Sequence, residues 1–111
     1  MIRILPLKLE REMFCLYDDA ALLAKCYYSS ETGEIFGIDS IDEVAAKPLR
    51  AALLKAVMSS MEYAGVTVAW CKDPSLEPVL KALRFQPEGD NRMSVSLIGY
   101  FDSACECQSH S

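Results

Sequence analysis

The sequence predicts an α+β fold: a mixed, mostly antiparallel sheet in the order β-β-β-β-α-β-α-β, with two main helices packed on it. Three observations carry this. Short runs rich in β-branched and aromatic residues alternate with polar turn clusters through the first forty residues. One long segment, Val44 to Tyr63, repeats Leu49, Leu53, Leu54, Val57, Met58 and Met61 at helical spacing, with Lys47, Arg50, Lys55, Ser59 and Glu62 on its other side. Strand-like GEIFGIDSI precedes that segment and VTVAWC follows it, the pattern of a β-α-β crossover.

Taken in order, Ile2 to Leu9 alternates as a first strand, and Pro6 confines it to an edge or a bulge. Met13 to Tyr17 is the second strand. Asp18 and Asp19 turn the chain into a third, Ala20 to Ser29, and SSETGE turns it again, with Gly33 free to take positive φ. Gly33 to Ile41 is the fourth strand, completing an antiparallel meander. Ser40-Ile41-Asp42-Glu43 fits a capping box and starts a short helical turn over Ile41 to Ala46; the main helix then opens with Pro48 at its first position. Gly65 stands where a left-handed helix stop forms. After VTVAWC, Asp73 caps and Pro74 opens a further helix carrying Leu76, Val79, Leu80 and Leu83, with Pro78 making its first turn irregular. Met93 to Phe101 is the last strand. The domain spans residues 1–101, and residues 102–111 are small and polar, a flexible tail.

At 111 residues the chain is the size of one domain. A net charge of -5, with no cluster of Lys and Arg, argues against nucleic acid and for a basic partner. No apolar run approaches the ~20 residues of a membrane helix, and the amino terminus is charged too early for a secretory signal, so the sequence reads as cytoplasmic. Five cysteines without a repeated spacing fit buried free thiols better than a disulfide framework. Cys105, Cys107 and His110 offer three soft ligands without a fourth, so no metal is expected.

The run LRAALLKAVMSSMEYAGVTVAW, followed by LEPVLKALRFQPE and a terminal strand, resembles the second half of the GNAT superfamily of acyl-CoA N-acyltransferases, and the preceding meander is similar to that family's central strands. The resemblance covers residues 12 to 101. It implies a GNAT-like fold, acetyl-CoA or CoA as cofactor, and direct transfer of an acetyl group to a small-molecule or protein amine. It also implies that the fourth strand pairs with pantetheine through Ile38, Ser40 and Ile41. Departures fall on functional positions. Aligning the family's loop Q/R-x-x-G-x-G/A-x-x-L on Leu53 puts Ala45, Pro48 and Arg50 where Gln/Arg and the two glycines stand. Those glycines let backbone amides surround the pyrophosphate, and Pro48 has no amide to give. Leu80 stands where the family often has a tyrosine that serves as general acid toward the departing thiolate, Arg84 replaces the glycine of a Gly-Phe pair, and there is no room for two helices between Leu9 and Phe14. The chain reads as a shortened, divergent relative.

Around that implied site the residues themselves say less. Lys47 and Arg50 bring two cations to the first turn of the helix, with Ala51 beside them; they serve either as phosphate ligands or as an ordinary solvated face. Glu34 and Asp39 on the fourth strand are the candidate general bases, or else plain strand-edge carboxylates. Two readings follow: an acyl-CoA-dependent N-acetyltransferase, or a catalytically inactive module of the same fold that works through protein contacts as a homodimer joined at an exposed sheet edge. The junction Asp42 to Arg50 discriminates them, an amide-lined nest favouring the enzyme and continuous helix the module.

Overall fold

The computed structural model describes residues 1–8, 11–89 and 91–101. Its strands are β1 (Ile2–Lys8), β2 (Glu12–Asp18), β3 (Ala21–Tyr28), β4 (Glu34–Ser40), β5 (Val68–Cys71), β6 (Gln86–Pro87) and β7 (Met93–Ser96). Helices α1 (Glu43–Ala46) and α2 (Arg50–Tyr63) lie between β4 and β5, and α3 (Glu77–Ala82) follows β5. One seven-stranded sheet runs β1-β2-β3-β4-β5-β7-β6, with β4 and β5 parallel and every other pair antiparallel. The expected α+β class and mostly antiparallel sheet are therefore present, with β6 as an added two-residue edge strand.

Helix α2 buries the stripe read from the sequence: Leu53, Leu54, Val57, Met58 and Met61 are wholly inaccessible. Each such side chain gains roughly 1.5–3 kcal/mol from leaving water. They meet Phe14 and Leu16 of β2, Ala24, Cys26 and Tyr28 of β3, Ile35 of β4 and Ala69 and Cys71 of β5, with Leu80 of α3 closing the same core. The helix ends as predicted: Gly65 takes φ +93°, its amide donates to Glu62 O, and the Val66 amide donates to Met61 O. Strand alternation sends Met13, Cys15, Lys25 and Tyr27 to the opposite face, where Leu5 and Leu7 are about two-fifths exposed.

Three expectations need correction. The cap of the first helical turn is Asp42, not Ser40: Asp42 Oδ1 accepts from the Ala45 amide, because β4 keeps Ser40 in register with Ala24. The main helix does not begin at Pro48. Lys47–Leu49 form a tight three-ten turn with proline near its start, and α-helical bonding resumes at Arg50. The last strand ends at Ser96 rather than Phe101. Leu97 is pulled inward, its amide donating to Thr67 O, and Gly99 at φ +69° turns Tyr100 and Phe101 back onto the core.

Candidate functional site

The parallel pair β4–β5 holds only two rungs, Glu34 opposite Trp70 and Ile35 opposite Cys71. At the closed end the Trp70 amide donates to Gly33 O at 2.9 Å and its indole Nε1 donates to Thr32 O at 3.0 Å. Lys72 and Arg92 stack over the indole ring, 5.3 and 4.9 Å from its centroid. Beyond Ile35 and Cys71 the strands part. β4 continues through Phe36 to Ser40 without a β5 partner, while the other chain leaves through Asp73 into the turn Pro74–Leu76.

A bulge marks the parting point. Tyr28 pairs with Ile35 and Tyr27 with Gly37, so Phe36 has no partner in β3. Such an extra residue bends the strand and takes backbone groups off the ladder. Gly37 lies so close to the other arm that a Cβ built on it would sit 3.2 Å from Asp73 Oδ2. The remaining oxygen, Asp73 Oδ1, accepts from the Ser75 amide at 3.0 Å and the Ser75 hydroxyl at 2.7 Å, which fixes the carboxylate in the mouth. A shallow cavity of about 420 Å³ opens there, lined by Arg11, Tyr27, Phe36, Gly37, Ile38, Asp39 and Asp73.

Of the residues singled out from sequence, the structure brings Ile38 and Asp39 to this cavity and Ser40 to the end of the same open edge. Glu34 belongs to the closed end, ~16 Å from Asp39 by strand rise, and cannot share a site with it. The Ile41 amide already donates to Leu23 O at 2.8 Å, so it is not free to pair with a ligand, and the Ile41 side chain is exposed. Lys47, Arg50 and Ala51 stand where helical backbone passes from the three-ten turn into α2. The Ala46, Lys47 and Arg50 amides donate to Asp42 O, Glu43 O and Lys47 O, so they are spent within the helical run. No amide nest forms at Ala46–Arg50. Arg50 instead offers its side chain: it is 22% exposed, one guanidinium nitrogen lies 3.6 Å from Glu43, and its buried Nε lacks a partner among the described residues. The Ser40 hydroxyl is likewise buried without a partner among the described residues.

Sequence reading missed Arg11, Tyr27, Phe36, Gly37 and Asp73. One of them, Asp73, carried a signal, since a carboxylate two residues past the end of a parallel strand sits where open sheets bind ligands. Two of the buried thiols, Cys26 and Cys71, are held in the protonated form. Burial pushes the Cys26 thiol far up, and burial also raises Cys71, opposed by the Asp73 amide that donates to its sulfur. Among the described residues no three His, Cys, Asp or Glu side chains converge on a metal position; Cys105, Cys107 and His110 lie outside them. No helix among them is long and apolar enough to cross a membrane.

No family model matches the chain, and no curated protein is similar to it in sequence. Solved structures are similar to it in fold. The ribosomal-protein-S18-alanine N-acetyltransferase from Escherichia coli superposes with a TM-score of 0.61 at 18% identity, over 81% of this chain and 72% of that one. An N-acetyltransferase from Staphylococcus aureus Mu50 gives 0.63 at 11% identity, over 78% and 68%. The fold is that of GNAT N-acetyltransferases. At these identities the likeness concerns the path of the chain, so the chemistry has to be argued from the parted strands of the GNAT-like sheet.

Proposed function

We propose that the chain binds an acyl-CoA, acetyl-CoA first among them, along the open edge of β4 and passes the acyl group directly to an amine. The observation that carries this is the parting of β4 and β5 beyond Ile35 and Cys71, with the bulge at Phe36 and Gly37 at its mouth. An unpaired strand edge is a template for an extended amide-bearing chain such as pantetheine, and Ile38 and Ser40 belong to that edge. The phosphates would rest on Lys47 and Arg50, whose side chains stand in for the amides that the helical run has used; the orphaned Arg50 Nε and Ser40 hydroxyl are the groups such a ligand would satisfy.

A CoA thioester brings an electrophilic carbonyl carbon. The amine nitrogen forms the new C–N bond as the C–S bond breaks, the thiolate leaves with the bonding pair, and the proton released from nitrogen goes to a carboxylate. Asp73 is the group placed for this, its free oxygen lying beside the bulge, and Asp39 stands in the same cavity. Buried Cys15, Cys26 and Cys71 are all free thiols, in keeping with a reducing, cytoplasmic setting.

A second reading, a non-catalytic module acting through a homodimer, is favoured by one observation: helical backbone runs through the junction from Glu43 into α2, and the Ala46, Lys47 and Arg50 amides are bonded within it. Thermal melts with millimolar CoA or acetyl-CoA separate the two. A ligand at ~100 times its dissociation constant adds about 2.7 kcal/mol, which raises the midpoint of a domain this size by roughly ten degrees. The acyl-transfer reading expects that shift and its reduction in Arg50→Ala. No shift leaves the interaction module.

A further inference from the structure

On the sheet face opposite the helices, Arg11 lays its guanidinium over two rings, 4.9 Å from the Tyr27 centroid and 4.9 Å from that of Phe36. Among the described residues this guanidinium forms no ion pair, although Asp39 and Asp73 line the same cavity and neither forms an ion pair of its own. Two ring faces and two carboxylates thus share about 420 Å³, and among the described residues the only cation that lines it is held by the rings alone. We infer that this cavity is a site for a small organic dication, and that Arg11 is an internal plug resting in its aromatic half.

The chemistry is specific in sign. An aromatic face attracts a cation through its quadrupole, and a carboxylate attracts it through charge; neither favours an anion, and a neutral group gains little from the pair. The bulge creates the aromatic half, since it takes Phe36 out of the ladder and leaves it 43% exposed beside Tyr27. Arg11 is itself exposed, and ring contacts at an exposed position are weak enough to yield to a better-placed competitor. A linear ligand with a guanidinium at one end and an ammonium at the other would displace Arg11 with the first and meet Asp73 and Asp39 with the second. The chain's net charge of -5 draws such ligands in. As the acceptor's place this rests on the acyl-transfer reading; as a cation site it rests on the cavity alone.

The test is calorimetric titration of the full chain with agmatine, which carries both groups on a four-carbon chain, at low salt and without CoA. Butylurea serves as the uncharged control. Wild type is expected to bind agmatine and not butylurea, with affinity falling as salt is raised. Arg11→Ala should tighten binding three- to tenfold, because a plug that competes for the site lowers apparent affinity by the fraction of time it is seated. Phe36→Ala and Asp73→Asn should each weaken binding about tenfold; asparagine keeps the cap on Ser75, so that variant retains its fold. Weaker or unchanged binding in Arg11→Ala would make Arg11 a wall and overturn the plug. A flat titration with both wild type and folded Arg11→Ala, at millimolar agmatine, would overturn the site. Because CoA is absent, that failure stands apart from a failed CoA melt.

Discussion

At the scale of single residues, Arg84 shows how an arginine can hold a backbone conformation that suits glycine. It occupies the position just past the end of α3, with φ +72°, where its amide donates to Lys81 O and the Phe85 amide donates to Leu80 O. A left-handed conformation costs a residue with a Cβ about 1–2 kcal/mol. Part of that cost is offset by the ring of Tyr100, 4.3 Å below the guanidinium, whose hydroxyl in turn donates to Leu83 O. Arg84→Ala keeps the strain and loses the stacking, whereas Arg84→Gly loses both. Urea unfolding is therefore expected to rank Arg84→Gly above Arg84→Ala by about 1 kcal/mol. Equal stabilities would mean that the backbone at Arg84 is unstrained.

At the scale of elements, everything that defines the site depends on how β4 meets β5. Gly33 makes that meeting possible: at φ +81° it lies so near β5 that a Cβ would fall 2.2 Å from Val68 O. Gly33→Ala must push β5 away or distort β4, so a loss of roughly 2–4 kcal/mol is expected in denaturant unfolding. A loss below about 1 kcal/mol would show that the seam tolerates displacement.

The same elements show where sequence was informative. The meander and α2 were legible because their signals are local: alternation, turn chemistry and a helical stripe all lie within short windows. β6 was not, since Gln86 and Pro87 form a strand only through pairing with Met93 and Ser94. The cap moved from Ser40 to Asp42 because sheet pairing outweighed a capping motif. Of the residues lining the cavity, Ile38 was singled out through the resemblance and Asp39 as a carboxylate of the fourth strand. Arg11, Tyr27, Phe36 and Asp73 come from four separate stretches, and only a register with one extra residue brings them to one cavity.

At the scale of the whole molecule, helices cover one face of the sheet, and the shortest dimension is 26 Å, two layers rather than three. Both outer strands carry a proline, Pro6 in β1 and Pro87 in β6, which blunts them against strand addition. A homodimer would therefore use the open face around Leu5 and Leu7 more readily than an edge. Global stability also carries a pH signature. The Cys26 and Cys71 thiols ionise later folded than unfolded, so above about pH 8.5 the unfolded chain binds fewer protons and stability falls as pH rises. Below that pH their contribution is fully present. Each thiol is expected to remove up to about 1.4 kcal/mol per pH unit in the alkaline range, and urea midpoints at several pH values for wild type and Cys26→Ala read the difference. Parallel declines in the two proteins would show that Cys26 is not responsible.

The two-rung seam also orders the assembly of the molecule in time. β1 to β4 are joined by short connections, so their pairings close small loops, whereas β5 reaches β4 only after α2 has been spanned. Loop closure costs more for the longer path, and contacts distant in sequence form later. The meander is then the nucleus and the β5–β7 half docks onto it last. On that order Leu16→Ala, in the middle of the meander, slows folding, while Gly33→Ala chiefly accelerates unfolding, and chevron plots of the two variants would reveal the reverse if the seam forms first.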